Sequence, residues 1–209
     1  MLGRSFFRPP DQRDSQQLHM YDCGDGRQIW TGHFTTAKVV NQVQAMLNFD
    51  ITHSIFYKEI SLLQFVCETM VASLDRESRA KWSNYDRLPT DAFMTQQEQT
   101  LLEKVLKGMR VRSKYHGTER SHKICGVKAL NAHQAVFPLD VDGVTRDISV
   151  ADYFLEYKNV PLKYPYMPVI HMQPKSRKIY LPIEILHVQF GQKAKKTDVD
   201  AAAIIKVSF

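Results

Sequence analysis

Residues 150–185 read VADYFLEYKNVPLKYPYMPVIHMQPKSRKIYLPIEI. Five of the 23 positions in 150–172 are aromatic, four of them tyrosine, with two lysines and three prolines among them. A plain core favours Leu, Ile and Phe, because each buried tyrosine hydroxyl needs a hydrogen-bond partner. Ser149 and Asp152 predict the cap of a short helix carrying Tyr153, Phe154 and Tyr157. Tyr153 and Tyr157 are four residues apart and share a face, while Phe154 and Leu155 turn toward the core. Strands are expected at 162–164, 168–172 and 178–188.

Upstream the pattern is also of short strands. MRVRSKY (109–115) and RSHKICGV (120–127) flank a His116-Gly117 turn, and Asp140–Gly143 reads as another tight turn. Before them, Thr95 and Glu98 form a T-x-x-E capping box. It opens a helix with Leu101, Leu102, Val105 and Leu106 on its buried stripe, and Gly108 fits its stop. Residues 75–94 read as a loop or short helix. Ile60, Leu63, Val66, Cys67, Met70, Val71 and Leu74 recur at helical spacing and predict a helix over 60–74. MLNFDIT (46–52) alternates like a half-buried strand, and Cys23–Gly26 reads as the turn of a hairpin over 18–34. Thr197 and Asp200 open a last helix. Many short strands around one brief helix predict an α+β, mainly β fold. Its centre is a small closed or partly open barrel of OB type with a hairpin and short-helix appendage. A β-rich segment with a helix precedes it.

The 209 residues suit one or two domains with a real core. No stretch approaches the roughly 20 apolar residues of a membrane span, and the start, MLGRSFFRPPDQRD, lacks the apolar region of a signal peptide. Three scattered cysteines, Cys23, Cys67 and Cys125, argue against a disulfide framework or a zinc site and for a reducing, intracellular compartment. The net charge of +6 is unevenly placed: segments 103–123 and 175–196 each carry a net +5 and the rest of the chain −4. Two basic strips on an acidic body point to a polyanion-binding face, or else to two solvated surfaces that never meet.

Motifs for other chemistries are missing. None of the eight histidines forms H-x-x-x-H or joins a C-x-x-C, so no metal site is expected. Asp140-x-Asp142-Gly143 lacks the later ligands of a calcium loop. There is no G-x-S-x-G, Walker A or G-x-G-x-x-G motif. Cys125, within KICGV, reads as a buried small hydrophobe. The tyrosines either cover a core edge or point phenols at a phosphate, with Lys158 or Lys163 adding charge. The basic strips favour the second, since hydroxyl and cationic donors around an aromatic floor suit single-stranded nucleic acid.

KYPYMPVIHMQPKSRKIYLPIEI (163–185) resembles the end of a PAZ domain from an Argonaute protein. HQAVFPL (133–139) and VADYF (150–154) are similar to two further PAZ blocks. GRSFF (3–7), MLNFDITHSIFYK (46–58) and Phe65–Glu68 resemble the linker that precedes PAZ in eukaryotic Argonautes. The blocks look more like the Ago clade than the Piwi clade. The resemblance divides the chain into a linker region (1–58), PAZ (59–195) and the start of a following linker (196–209). It implies a fragment without the N, MID and PIWI domains, which would be its partners in a longer chain. No cleavage activity and no cofactor are then expected. The implied role is a sequence-independent pocket for the 3′ end of a small guide RNA, single-stranded or as a two-nucleotide overhang of a duplex, in RNA silencing. The implied compartment is the cytoplasm, with the nucleus also open.

Carried over to this chain, the resemblance assigns Tyr153 to phosphate, Phe137 to stacking on the terminal nucleotide, and Arg120 to the terminal phosphate. Tyr180 and Leu181 form the pocket wall, and Arg177 or Lys178 stands where a lysine is usual. Several positions depart from the family pattern. A pocket histidine falls on Tyr115, with His116 beside it; a tyrosine becomes His122; and Lys158 takes the place of a second tyrosine, with Tyr157 before it. Lys163 adds charge nearby. These departures leave open a second reading, a protein-interaction module that has lost 3′-end binding.

Overall fold

The computed structural model describes residues 2–10, 21–40, 44–115, 118–141, 143–174, 176 and 179–195. The chain divides into two compact units, one of Met1–Lys58 with the chain from Gly191 onward, the other of Glu59–Phe190.

The first unit is an antiparallel sheet of β1 (Leu2–Arg8), β2 (Arg27–Val40) and β3 (Gln44–Tyr57), in that order. Thr, Val, Ile and Phe fill the two long strands, as suits a pleated surface. They pair without interruption from Arg27↔Tyr57 to Val40↔Gln44. The turn expected at Cys23–Gly26 is present. Cys23 N–H donates to the Arg27 carbonyl at 3.0 Å, and Gly24 and Gly26 take φ of +74° and +82°, where a side chain would be strained. Its pairing is a single Asp22↔Gln28 bridge, and β2 takes β3 as its ladder partner instead. Residues 18–20 of the expected hairpin lie outside the described residues. The core gathers at one end of the sheet, where Trp30 stacks on Phe56 at 4.1 Å beside buried Ile29 and Ile55. The half-buried strand expected at 46–52 is a strand but not half-buried: Met46, Leu47, Phe49 and Ile51 are all exposed, because they lie beyond this packed end.

The second unit begins with α1 (Leu62–Ser73), capped by the Ser61 hydroxyl, which accepts from Gln64 N–H at 3.1 Å. Leu62, Phe65, Val66 and Met70 are fully buried along it. Two short 3-10 turns, Ser78–Trp82 and Tyr85–Arg87, lead to α2 (Gln96–Leu106). The capping box is formed as the sequence predicts, and Gly108 ends the segment at φ +86°. Then come β4 (Arg110–Tyr115), β5 (Thr118–Asn131), the hairpin β6 (Val136–Val141) and β7 (Val144–Ser149), and α3 (Val150–Lys158). The chain returns through β8 (Pro168–Met172), β9 (Tyr180–Leu181) and β10 (Leu186–Val188). The main sheet runs β10-β4-β5-β8-β9, and β6–β7 pair apart from it. The unit is thus mainly β with an inserted hairpin and helix, as expected. The barrel does not close among the described residues, which leave β9 and β10 as edges.

Four local expectations change. Residues 162–164 are not a strand; there Lys163 and Tyr164 N–H donate to the Glu184 carboxylate at 2.8 and 3.1 Å. The single strand expected at 178–188 is broken into β9, a 3-10 turn at Ile183–Ile185 and β10, since Pro182 has no N–H for a ladder. Cys125 is half-buried, because the register shift between Ile124 and Gly126 turns it out of the alternation. Leu155 is 54% exposed, while Val150, Ala151 and Phe154 are buried; at about 100° per residue it lies roughly a quarter turn from the centre of that stripe. The helix expected from Thr197 lies outside the described residues.

Candidate nucleic-acid interface

The hairpin β6–β7 and the helix α3 are joined at Ser149. Its hydroxyl accepts from Asp152 N–H at 3.1 Å and donates to the Asp152 carboxylate at 2.6 Å. This cap satisfies one of the amides that a helix start leaves without a partner. Phe154, 1% exposed, anchors the helix. That leaves Tyr153 and Tyr157 on a neighbouring face, stacked at 5.7 Å with planes 19° apart. Phe137, from β6, meets the Tyr153 ring edge-on at 5.3 Å. The Lys158 ammonium lies 5.4 Å from the Tyr153 ring centroid. Four of the residues singled out in the sequence therefore form one cluster.

The structure adds Arg146, on β7, which sequence reasoning missed. Its guanidinium donates to the Tyr157 hydroxyl at 2.7 Å and to the Glu156 carboxylate at 2.9 Å, and it lies 5.7 Å from the Tyr157 ring. A tyrosine that accepts from a guanidinium still has its own O–H to give. No motif marks Arg146; pairing of β7 with β6 and the start of α3 bring it there.

Other predicted residues sit on the main sheet. Arg120 and His122 are two apart on β5, opposite Ser113 and Val111 of β4. The Ser113 hydroxyl and His122 Nε2 are 3.0 Å apart. Burial, and then the Arg120 charge, push the His122 pKa below its ordinary value. At the far edge of the sheet, Leu181 of β9 is buried opposite Ile170, and the Tyr180 ring lies 5.3 Å from that of His171. Lys163 is exposed, 5.0 Å from the Tyr164 ring; the Tyr164 phenol, ahead of Asp86 and Glu184, holds its ammonium above the ordinary range. Tyr115 ends β4, while His116, Arg177 and Lys178 lie outside the described residues.

The basic strips are partly spent on internal pairs. Arg112 bridges Glu59 and Glu119. The second strip is divided, because Lys193 and Lys195 belong to the first unit, where Lys193 lies 4.5 Å from the Phe7 ring. Among the described residues no group of three His, Cys, Asp or Glu could hold a metal ion. No helix among them is long and apolar enough to cross a membrane.

Comparison with known proteins places this architecture. The family model of the PAZ domain matches residues 82–206, and that of the Argonaute linker 1 domain matches residues 1–58. Among solved structures, the chain is similar to Kluyveromyces polysporus Argonaute with a guide RNA. That match has 19% identity and a TM-score of 0.57, and covers 86% of this chain and 20% of that one. It is also similar to the Drosophila Argonaute 2 PAZ domain studied for 3′ end recognition of nucleic acids, at 19% identity and a TM-score of 0.45, over 64% of this chain and 97% of that one. A third match is a Drosophila Ago PAZ domain in complex with 3′-end 2′-O-methylated RNA, at 25% identity and a TM-score of 0.39, over 44% of this chain and 78% of that one. At these identities the likeness to the yeast protein speaks for the fold, and the family models, which between them take in most of the chain, speak for descent. The chain therefore belongs to the Argonaute family, and what it carries of that family is a linker 1 domain followed by a PAZ domain.

Proposed function

We propose that this chain is a binding module that anchors the 3′ end of a small RNA without regard to sequence and has no cleavage activity of its own. The observation that carries the reading is the cluster of Phe137, Tyr153 and Tyr157 with Lys158 and Arg146, in a chain matched by the PAZ family model. Its chemistry is right for a strand terminus. The Phe137 ring offers a stacking surface. Two phenol O–H groups and two cations donate to backbone phosphates, which carry no sequence information. Of the similar structures, the Drosophila Argonaute 2 PAZ domain is one described for 3′ end recognition of nucleic acids. Arg120, His122, Tyr180 and Leu181 extend the proposed pocket onto the sheet, and the first unit serves as its linker.

Stacking is worth about 1–3 kcal/mol per base, so losing it weakens binding by about fivefold or more. Phe137→Ala and Tyr153→Ala are each expected to show such a loss for a short single-stranded RNA, measured by fluorescence anisotropy at fixed salt. If both variants bind like the wild type, this cluster is not the pocket.

A further inference from the structure

On the sheet of the first unit, three rings from three different strands stand in a column. Phe6 of β1 stacks on His33 of β2 at 5.3 Å with planes 27° apart, and His33 stacks on Phe49 of β3 at 4.9 Å and 20°. The two end members, Phe6 and Phe49, are 52% and 62% exposed. Aromatic pairs across strands ordinarily stabilise a sheet, but rings that serve a core are covered, and these are not. The column depends on a close approach of β1 to β2. Gly32 lies opposite Phe7, and a Cβ on it would sit 1.9 Å from the Phe6 carbonyl oxygen.

The charge around the column is one-sided. Side chains two apart on a strand share a face, so Arg4 and Arg8 flank Phe6, and His53 stands beyond Ile51 on β3. Along this face, at positions 4–8, 29–37 and 47–55, there is no Asp or Glu; Asp50 falls on the opposite one. A cleft of about 560 Å³ opens onto the column, lined by Phe6, Arg8, Tyr21, His33, Phe49 and Ile51 among others. Open ring faces, flanking arginines and no carboxylate are what a single strand requires: bases stack on the rings while cations meet the phosphates. A duplex hides its base faces and would not use the rings.

We infer that the Phe6–His33–Phe49 face of the first unit is a docking surface for single-stranded nucleic acid, separate from the 3′-end site and independent of that reading. It grips the body of a strand, not its terminus.

The test is a circular single-stranded RNA, which has no 3′ end, titrated against the whole chain. Phe49→Ala is expected to weaken binding about tenfold, and Phe49→Trp to restore it. Arg4→Gln with Arg8→Gln should lower the salt dependence, reducing the slope of log K against log salt by about 1.4. Phe49 and both arginines are exposed, so the sheet is expected to tolerate these changes, which a thermal melt of each variant checks. Circle binding that is unchanged in all these variants overturns the inference and leaves the face to a protein partner. So does a loss with Phe49→Ala that Trp fails to rescue. Because a circle cannot enter an end pocket, failure here leaves the 3′-end proposal standing, and failure of that proposal leaves this one.

Discussion

At His122 two opposing demands meet. A cation there would favour a phosphate, yet burial and the neighbouring Arg120 disfavour the charged imidazole. The hydrogen-bonding distance to buried Ser113 is kept by the neutral ring, whose Nε2 accepts or donates according to tautomer. The consequence for stability has a definite sign. With the folded-state pKa below the ordinary 6.5, the unfolded chain binds the proton first, so stability falls as pH drops below about 6.5. His122→Gln should remove that part of the slope in urea denaturation between pH 7.5 and 5.5. An identical slope in the variant would mean that His122 is not the buried neutral group described. Arg146 makes a related point about what a residue reveals. Its partners, Tyr157 and Glu156, are eleven and ten positions away, at no helical or strand spacing, so nothing local announced it. Tyr153 and Tyr157 were legible because four residues on a helix is a spacing with a geometry.

Among the elements, α2 shows how short-range chemistry becomes tertiary structure. Its capping box was readable from four residues. What could not be read is that Glu98 is 4% exposed and also accepts from the Trp82 indole N–H at 2.7 Å and from Lys81 at 3.2 Å. Burial raises the Glu98 pKa, but the hydrogen bonds from Thr95, Trp82 and Lys81 outweigh it and hold the carboxyl below its ordinary value. The carboxylate therefore ties the 3-10 turn at Ser78–Trp82 to the start of the helix. Removing it strands a buried indole donor, at about 1–3 kcal/mol, and loses half of the cap, at about 1 kcal/mol. Glu98→Ala is expected to lower the melting temperature by about 10 °C, with Glu98→Gln milder, since its amide oxygen still accepts. A change of less than about 2 °C for the alanine variant would mean the network carries no stability. Two of the features misjudged in the sequence share a cause. Alternation in 46–52 marked a strand correctly, but whether a strand is covered depends on what packs over it, which pattern does not contain. The bulge at Cys125 is likewise decided by the partner strand, whereas the break at Pro182 lay in the sequence itself, in a residue with no N–H for a ladder.

Across the whole molecule, charge was the least reliable guide and ordered motifs the most. Charge alone left open one polyanion face or two solvated surfaces that never meet; Arg112 is paired with Glu59 and Glu119, and the second strip is split between two units. Of the cations at the proposed site, Arg120 lies in the first strip, while Lys158 and Arg146 lie in neither. The blocks at 133–139, 150–154 and 163–185 were legible because each builds a definite element, namely a hairpin strand, a capped helix and a loop tied to Glu184. Together they set an aromatic cluster on an appendage outside the main sheet. The central claim is that this unit holds the end of a strand and not its length. The most direct test is anisotropy with one short RNA, labelled at its 5′ end, carrying either a free 3′-hydroxyl or a bulky 3′ block. The account predicts a loss of about tenfold or more on blocking, at constant salt. Equal affinity for the two RNAs would contradict it.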